Sequence, residues 1–308
     1  MRSRVATIAA LLVPMVLAAA CTASRGTRHP NPRQDMERTI AFLSKRSDPD
    51  SLAAAGVLLL RTQADQGLLL LARATAAAPS RVDLAWLQIQ VCLRIPSCAS
   101  QPMEVHLRTL DPSNGAGWLG ALNRAESAGD ASAKGAALLH ISHADRVAIY
   151  WTTLISRLTP AVARAGVLPL PQAEVAVIGM LAAADIPPYK IIADYCIRGQ
   201  LADDQDVALC RGIGRALERG DTYATELIGI AIARHVWPEN SAEWKAAAYA
   251  RSVYEYRTNL LAHLEAHVAL DRHAAEGYLA LCAKYPREQD VARARLLEAG
   301  EKPDPPAQ

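Results

Sequence analysis

Residues 110–142 read LDPSNGAGWLGALNRAESAGDASAKGAALLHIS, and this stretch decides the fold of the chain. Alanine and leucine, which are strong helix formers, dominate on both sides of the Gly129-Asp130 pair. Glycine suits a turn between helices, and the carboxylate of Asp130 can accept the free backbone N–H groups at the start of the second helix. The stretch therefore predicts two short helices joined by a tight turn.

The rest of the chain has the same helical character. Apolar residues recur three and four positions apart, as in Leu84, Leu87 and Val91, whereas β-branched alternation is rare and the 308 residues contain one phenylalanine. Prolines divide the helix-forming sequence into short segments. Their spacing predicts helices of about 10 to 16 residues joined by turns of about 2 to 6 residues. We expect an all-α protein.

An internal repeat is visible between residues 79 and 118. Pro79 and Pro112 lie 33 positions apart, and Leu84 and Trp118 lie 34 apart. A period of about 34 residues is that of a tetratricopeptide unit, a helical hairpin that stacks on its neighbours.

Residues 110–142 resemble one tetratricopeptide unit at Pro112, at Trp118, at the Gly129-Asp130 turn and at Leu138. Leu122 and Lys134 depart from the family's glycine and alanine. The resemblance covers about residues 48–145 and implies a TPR-like α-solenoid of helical hairpins within residues 35–165. Residues 166–299 keep the composition without the period, and we expect a further helical bundle or degenerate repeats there.

The first 21 residues, MRSRVATIAALLVPMVLAAAC, have the order of an export signal: a basic start, an apolar run and small residues. Ala18-Ala19-Ala20-Cys21 resembles the lipobox of bacterial envelope lipoproteins, with the usual leucine displaced by one position to Leu17. The resemblance implies a signal peptide over residues 1–20 and lipidation at Cys21. Cleavage by an ordinary signal peptidase remains the alternative. Residues 21–34 are expected to form a flexible tether, and residues 300–308 a disordered tail.

The lipoprotein resemblance also implies a location. Thr22 is not the aspartate that resembles an inner-membrane retention signal, so the expected place is the inner leaflet of the outer membrane, with the body facing the periplasm. Removal of residues 1–20 takes two arginines from the 33 basic residues, which leaves 31 against 31 acidic residues. A chain with no net charge lacks the basic surface that a nucleic-acid partner requires.

Five cysteines follow Cys21. In an oxidising compartment cysteines tend to pair, and local spacing favours Cys92 with Cys98 and Cys196 with Cys210. Small buried thiols are the alternative for each pair. Cys282 is expected to remain free and buried.

His263, His267 and Asp271 are spaced at i, i+4 and i+8, so one helical face could present two imidazoles and a carboxylate to zinc or copper. The glutamate of a metalloprotease motif would directly follow the first histidine, whereas Glu265 does not. A solvated polar face is the alternative interpretation. No nucleophile motif is found, and Gly212-Ile-Gly214 is better explained by close helix packing. The sequence therefore predicts neither an enzyme nor a cofactor.

Two candidate partner surfaces remain. Tyrosine and arginine are enriched at binding hot spots, and a cluster of them lies within one segment. The repeat resemblance implies a second surface on the inner face of the first helices. The candidates in the cluster are Tyr249, Arg251, Tyr254 and Tyr256, and those of the inner face are Ile89, Leu119, Asn123 and Glu126. An apolar inner face would suit a peptide helix or protein segment in the periplasm.

The expected function is that of a non-enzymatic outer-membrane lipoprotein that mediates protein–protein interaction, as a scaffold for envelope assembly or secretion. An immunity or inhibitor lipoprotein that neutralises a periplasm-acting toxin is the first alternative. A metal-binding or hydrolytic protein that uses His263, His267 and Asp271 is the alternative from another class.

Overall fold

The computed structural model describes residues 31–184, 188–199, 201–267 and 271–306. These residues form helices and turns, and the described ranges contain no β-strand, only one isolated bridge between Asn114 and Arg146. The expected all-α class is therefore confirmed. The expected signal peptide, Cys21 and tether residues 22–30 lie outside the described residues, whereas residues 32–34, also expected in the flexible tether, form the first turn of a helix that Asn31 caps.

Fifteen α-helices follow one another in the described part of the chain. They are α1 (Pro32–Leu43), α2 (Pro49–Leu59), α3 (Ala64–Ala77), α4 (Val82–Cys92), α5 (Gln101–Leu110), α6 (Leu119–Ala128), α7 (Ala131–Ser142), α8 (Trp151–Ala163), α9 (Leu170–Ala184), α10 (Tyr189–Ala193), α11 (Asp204–Glu218), α12 (Tyr223–Val236), α13 (Ala242–His267), α14 (Arg272–Lys284) and α15 (Glu288–Glu298). A 3₁₀ turn (Gly115–Trp118) leads into α6, and a π-helical turn (Asp194–Arg198) continues α10. None of the described helices is both long and apolar enough to cross a bilayer.

The helices from α1 to α5 pack in chain order, each against the next, and α6 packs against α7. Glycines allow the closest of these contacts. A Cβ atom on Gly67 of α3 would lie 2.6 Å from the carbonyl oxygen of Gly56 in α2, which no larger residue tolerates. Gly212 of α11 approaches Ser142 of α7 in the same way, so the predicted role of the Gly212-Ile-Gly214 segment in close helix packing is confirmed.

The helices after residue 165 return to the first ones. Helices α8 and α9 pack against α2, and α14 packs against α8 and α9. One cluster of buried apolar side chains extends from Leu43 to Val291. The two regions that the sequence separates near residue 165 therefore share one core, and α2 contacts helices that are not its neighbours in a linear stack.

Two ion pairs join residues at or just before the starts of different helices. Arg81, before α4, pairs with Asp50 at the start of α2 at 2.8 Å. Arg146, before α8, pairs in the same manner with Asp111, before α6, at 2.7 Å. Each pair joins the entry of one helical hairpin to the entry of another.

The segment 145–150, which we call the connector, joins α7 to α8 without forming a helix, and Tyr150 at its end has a left-handed backbone conformation with φ 61°. The side chain of Asn114 binds both backbone groups of Ala148, accepting from its N–H at 2.9 Å and donating to its carbonyl at 2.8 Å. On the other side, the N–H of Val147 donates to the carbonyl of Ala216 at 2.9 Å. The connector thus links the α5–α6 loop to α11.

The C-terminal segment lies against α13. Arg257 donates from Nε to the carbonyl of Pro303 at 2.9 Å and also pairs with Asp304, and Pro303 is buried. Within the tail that the composition led us to expect as disordered, Gly300, Glu301, Pro303 and Asp304 therefore have defined contacts, and residues 307–308 lie outside the described residues.

Both predicted disulfides are confirmed. Cys92, the last residue of α4, is bonded to Cys98 in the following loop, and Cys196 in the π-helical turn is bonded to Cys210 in α11. Cys282 of α14 is free and buried, as predicted.

Candidate functional site

The inner face predicted from the repeat resemblance is divided between core and surface. Ile89 and Leu119 are 1% and 0% exposed. Helices α3 and α5 both pack against α4, which carries Ile89, and Leu119 at the start of α6 is fully buried, so neither side chain can contact a partner in this fold. Asn123 is half-buried, and Glu126 is exposed and pairs with Lys134 at 2.7 Å. The expectation of an apolar groove at Ile89 and Leu119 was wrong because closely packed neighbours fill it.

The tyrosine and arginine cluster on α13 is likewise split. Tyr249 is 61% exposed, whereas Tyr254 is 7% exposed and meets Tyr223 of α12 edge to face, with 5.5 Å between the ring centres. Arg251 lies over the Tyr254 ring and pairs with Glu255, and Tyr256 is half-buried. Tyr254 therefore serves the α12–α13 contact, and Tyr249 is the ring of this cluster that a partner could reach.

The three residues of the predicted metal row do not share a helical face. Helix α13 ends at His267, and Asp271 caps α14, where its carboxylate accepts from the N–H of Ala274 at 2.8 Å. His263 is exposed on α13, and the side chain of His267 lies outside the described residues. The premise of one continuous face at i, i+4 and i+8 was wrong because a helix boundary intervenes. Within the described ranges, no three His, Cys, Asp or Glu side chains form a group that could hold a metal ion.

An open cleft lies between α1 and α3, and we call it the α1–α3 groove. Its volume is about 670 Å³, within the range of about 300–1,000 Å³ typical of ligand clefts. Its lining residues are Ile40, Ser44, Leu59, Gln66, Leu69, Leu70, Ala72, Arg73 and Ala76. The lining is mainly apolar, and Arg73 is its one charged residue.

Helical spacing explains how the walls of the groove form. Gln66, Leu69, Arg73 and Ala76 recur three and four positions apart, so they share one face of α3. Ile40 and its neighbour one turn later, Ser44, form the opposite wall. The face of α3 between residues 66 and 76 is about 15 Å long at 1.5 Å per residue.

Leu69 is the exposed apolar residue of this groove. Its side chain is 67% exposed, although the other leucines of the 68–71 run are buried or half-buried. The groove was not predicted from the sequence, although the sequence carried a signal for it. Four successive leucines span more than the width of the apolar stripe of an amphipathic helix, so one of them has to point away from the core.

A second feature is a set of buried carboxylates near the start of α12. Glu288 accepts from the N–H of Tyr223 at 2.8 Å, and Asp221 accepts from two N–H groups around the connector. Burial raises the pKa of Asp221 to about 6 and that of Glu288 to about 7. Burial also raises the pKa of the nearby Glu226. Asp221 and Glu288 hold the backbone in place, which is a structural use of a carboxylate.

The environment of the free thiol of Cys282 disfavours the reactive thiolate form. Burial raises the pKa of Cys282 to about 12, so its sulfur stays protonated at neutral pH. Burial also raises the pKa of Glu174, on the adjacent helix α9, to about 7. Since the thiolate is the reactive form, Cys282 is poorly suited to covalent catalysis.

Comparison of the chain with protein-family models, with curated proteins and with solved structures finds no match in any of the three.

Proposed function

We propose that the chain is a bacterial outer-membrane lipoprotein, anchored through Cys21 and facing the periplasm, that binds other proteins through its helical body without catalysing a reaction. The observation that carries this proposal is the pair of disulfides, Cys92–Cys98 and Cys196–Cys210. Disulfides persist in oxidising compartments such as the periplasm and are rare in the cytosol. They therefore agree with the export signal and lipobox-like sequence at the N-terminus.

The architecture we propose is a tetratricopeptide-like body made of the hairpins α2/α3, α4/α5 and α6/α7, followed by a helical bundle from α8 onward. The sequence spacing of two ion pairs supports it. Arg81 pairs with Asp50 across 31 positions, and Arg146 contacts Asp111 across 35, close to the period of about 34 residues of this repeat class. Repeated hairpins of this kind commonly present protein-binding surfaces.

The buried ionisable groups support binding over catalysis. Asp221 and Glu288 are engaged with backbone N–H groups, and the thiol of Cys282 is held in its protonated form. An enzyme instead needs such groups to be free to exchange protons or electron pairs with a substrate. The exposed apolar residue Leu69 in the α1–α3 groove is the type of feature that marks an interaction site.

The proposal is tested by crosslinking in intact envelopes of cells that express the tagged full-length chain, followed by purification and identification of the crosslinked protein. We expect a defined envelope protein to be recovered in a stoichiometric complex from the outer-membrane fraction. Recovery of a secreted toxin would assign the immunity role instead. The binding proposal fails if the chain is found in that membrane with no crosslinked partner.

A further inference from the structure

We propose that the α1–α3 groove is a docking site for an amphipathic α-helix of a partner protein, one that carries an acidic residue beside its apolar face. The inference rests on the proposed protein-binding function and specifies the surface and the chemistry of the partner. It is independent of the inner face predicted from the repeat resemblance, since the groove lies between α1 and the second helix of the first hairpin.

The shape of the groove favours a helix. Helices α1 and α3 form the two walls of an open cleft. Ile40 and Ser44 lie on one side and the 66–76 face of α3 on the other, and Leu59 and Leu70 also line the cleft. Helix-in-groove recognition uses apolar anchors at i, i+3, i+4 and i+7 against a cleft of this form. An added helix would cover Leu69, which is 67% exposed without it.

The charges in and near the groove favour a partner helix that carries an acidic residue. Arg73 is the one charged residue in the lining, it is exposed, and no residue in the described ranges forms an ion pair with it. Lys45, next to lining residue Ser44, and Arg61, two positions after lining residue Leu59, are also exposed and lack an ion pair in the described part. Asp65, next to Gln66, is the acidic neighbour in sequence. The excess of cations would attract a carboxylate on the incoming helix.

The same charges disfavour other occupants. The segment 22–30 of this chain contains Arg25 and Arg28 and no acidic residue, so it would bring like charge to Arg73. A second copy placed about a two-fold axis through the groove would oppose Arg73 to its own image. An acidic amphipathic helix satisfies both the shape and the charge.

The experiment uses the mature full chain in detergent and two fluorescent helical peptides of about 12 residues, which span about 18 Å. Both peptides carry leucines at i, i+3, i+4 and i+7, and they differ only in glutamate or lysine at the flanking position. We expect anisotropy to show that the glutamate peptide binds more tightly. Leu69→Ser should weaken its binding by about tenfold or more, as when a central apolar anchor is lost. Arg73→Glu should reverse the preference in favour of the lysine peptide.

Leu297→Ser is the matched control, because Leu297 is 57% exposed on α15 outside the groove, and it should leave peptide binding unchanged. Equal binding by wild type and Leu69→Ser would overturn the inference, as would the absence of peptide binding. Leu69-dependent binding to phosphatidylglycerol vesicles, or Leu69-dependent dimerisation, without peptide binding would overturn it in favour of those occupants. If Leu69→Ser still captures the envelope partner by crosslinking, the groove proposal fails while the protein-binding function stands.

Discussion

The carboxylate of Asp221 accepts a hydrogen bond from the backbone N–H of Ile149 at 2.8 Å, although the two residues lie 72 positions apart. The other carboxylate oxygen accepts from the N–H of Trp151 at 3.1 Å, and the carbonyl of Asp221 accepts from the N–H of Glu288 at 2.9 Å. One residue at the entry of α12 therefore fixes the end of the connector, the start of α8 and the start of α15.

Asp221→Ala should be strongly destabilising, because it leaves the buried N–H groups of Ile149 and Trp151 without acceptors. Each such group costs about 1–3 kcal/mol, so we expect a loss of about 3 kcal/mol in the free energy of unfolding measured with urea. Asp221→Asn should lose less, since it keeps one acceptor oxygen and removes a buried charge. Asp204→Ala, at an exposed position in α11, is the control. Equal midpoints for Asp221→Ala and the control would contradict this role.

Stability should decrease as the pH rises from weakly acidic to alkaline. Burial raises the pKa of Glu288 and Glu174 from 4.5 to about 7 and that of Asp221 from 3.8 to about 6. The folded chain therefore binds these protons more tightly than the unfolded chain, and the free energy of unfolding falls as pH rises from about 4.5 to about 7. We expect a higher Tm at about pH 5.5 than at about pH 8, the pH values that bracket these folded-state titrations.

The matched variant for the pH series is Glu288→Gln. It removes one of the carboxyl groups whose pKa is raised, so it should reduce the difference in Tm between the two pH values. A Tm that is constant or rises over the same interval in wild type would show that these carboxyls are not buried in the folded protein.

Gly120→Ala should destabilise the α5–α6 contact. A Cβ atom on Gly120 would lie 2.8 Å from the Cδ of Glu104, and that carboxylate is already held by Arg124, Nη2 to Oε2 at 2.8 Å, and by Ser100 at 2.7 Å. Overpacking of this kind typically costs about 1–3 kcal/mol. Gly135→Ala is the matched control, because a Cβ there meets nothing within 4 Å. It should stabilise α7 by about 0.5–1 kcal/mol. The packing argument is wrong if both variants shift the urea midpoint in the same direction.

Removal of either disulfide should destabilise the protein, and the two removals should do so to different extents. The Cys196–Cys210 bond has a sequence separation of 14 and the Cys92–Cys98 bond a separation of 6. On the chain-entropy model the longer loop contributes about 3 kcal/mol and the shorter about 2.4 kcal/mol. Cys196→Ala/Cys210→Ala should therefore lower the urea midpoint more than Cys92→Ala/Cys98→Ala does. Reduced thiols at these positions in protein taken directly from the periplasm would refute the pairing.

Local features of the fold could be predicted from sequence because their causes are local. Asp130 was predicted to cap the second helix of the 110–142 stretch, and its carboxylate accepts from the N–H of Ala133 at 2.9 Å. Asp48 caps α2, and Pro49 suits the first helical position, so this boundary also has a local cause in the sequence.

Long-range features could not be predicted in the same way. The contact of α8 and α9 with α2 depends on how the helices close in space, and periodicity gives the face of a helix without naming its partner. For this reason Ile89 and Leu119 were expected on a groove and lie in the core. The α1–α3 groove depends on the placement of α1 against α2 and α3, although the leucine run at 68–71 was a usable local signal.

Metabolic labelling with an alkyne-bearing fatty acid, carried out on cells that express the full-length chain, tests the proposed anchor most directly. We expect label on the wild-type protein in the outer-membrane fraction, loss of residues 1–20 by mass spectrometry, and no label on the Cys21→Ser variant. Wild-type protein that carries no label and retains its first 20 residues in the cytosol would contradict the anchor, the location and the proposed role.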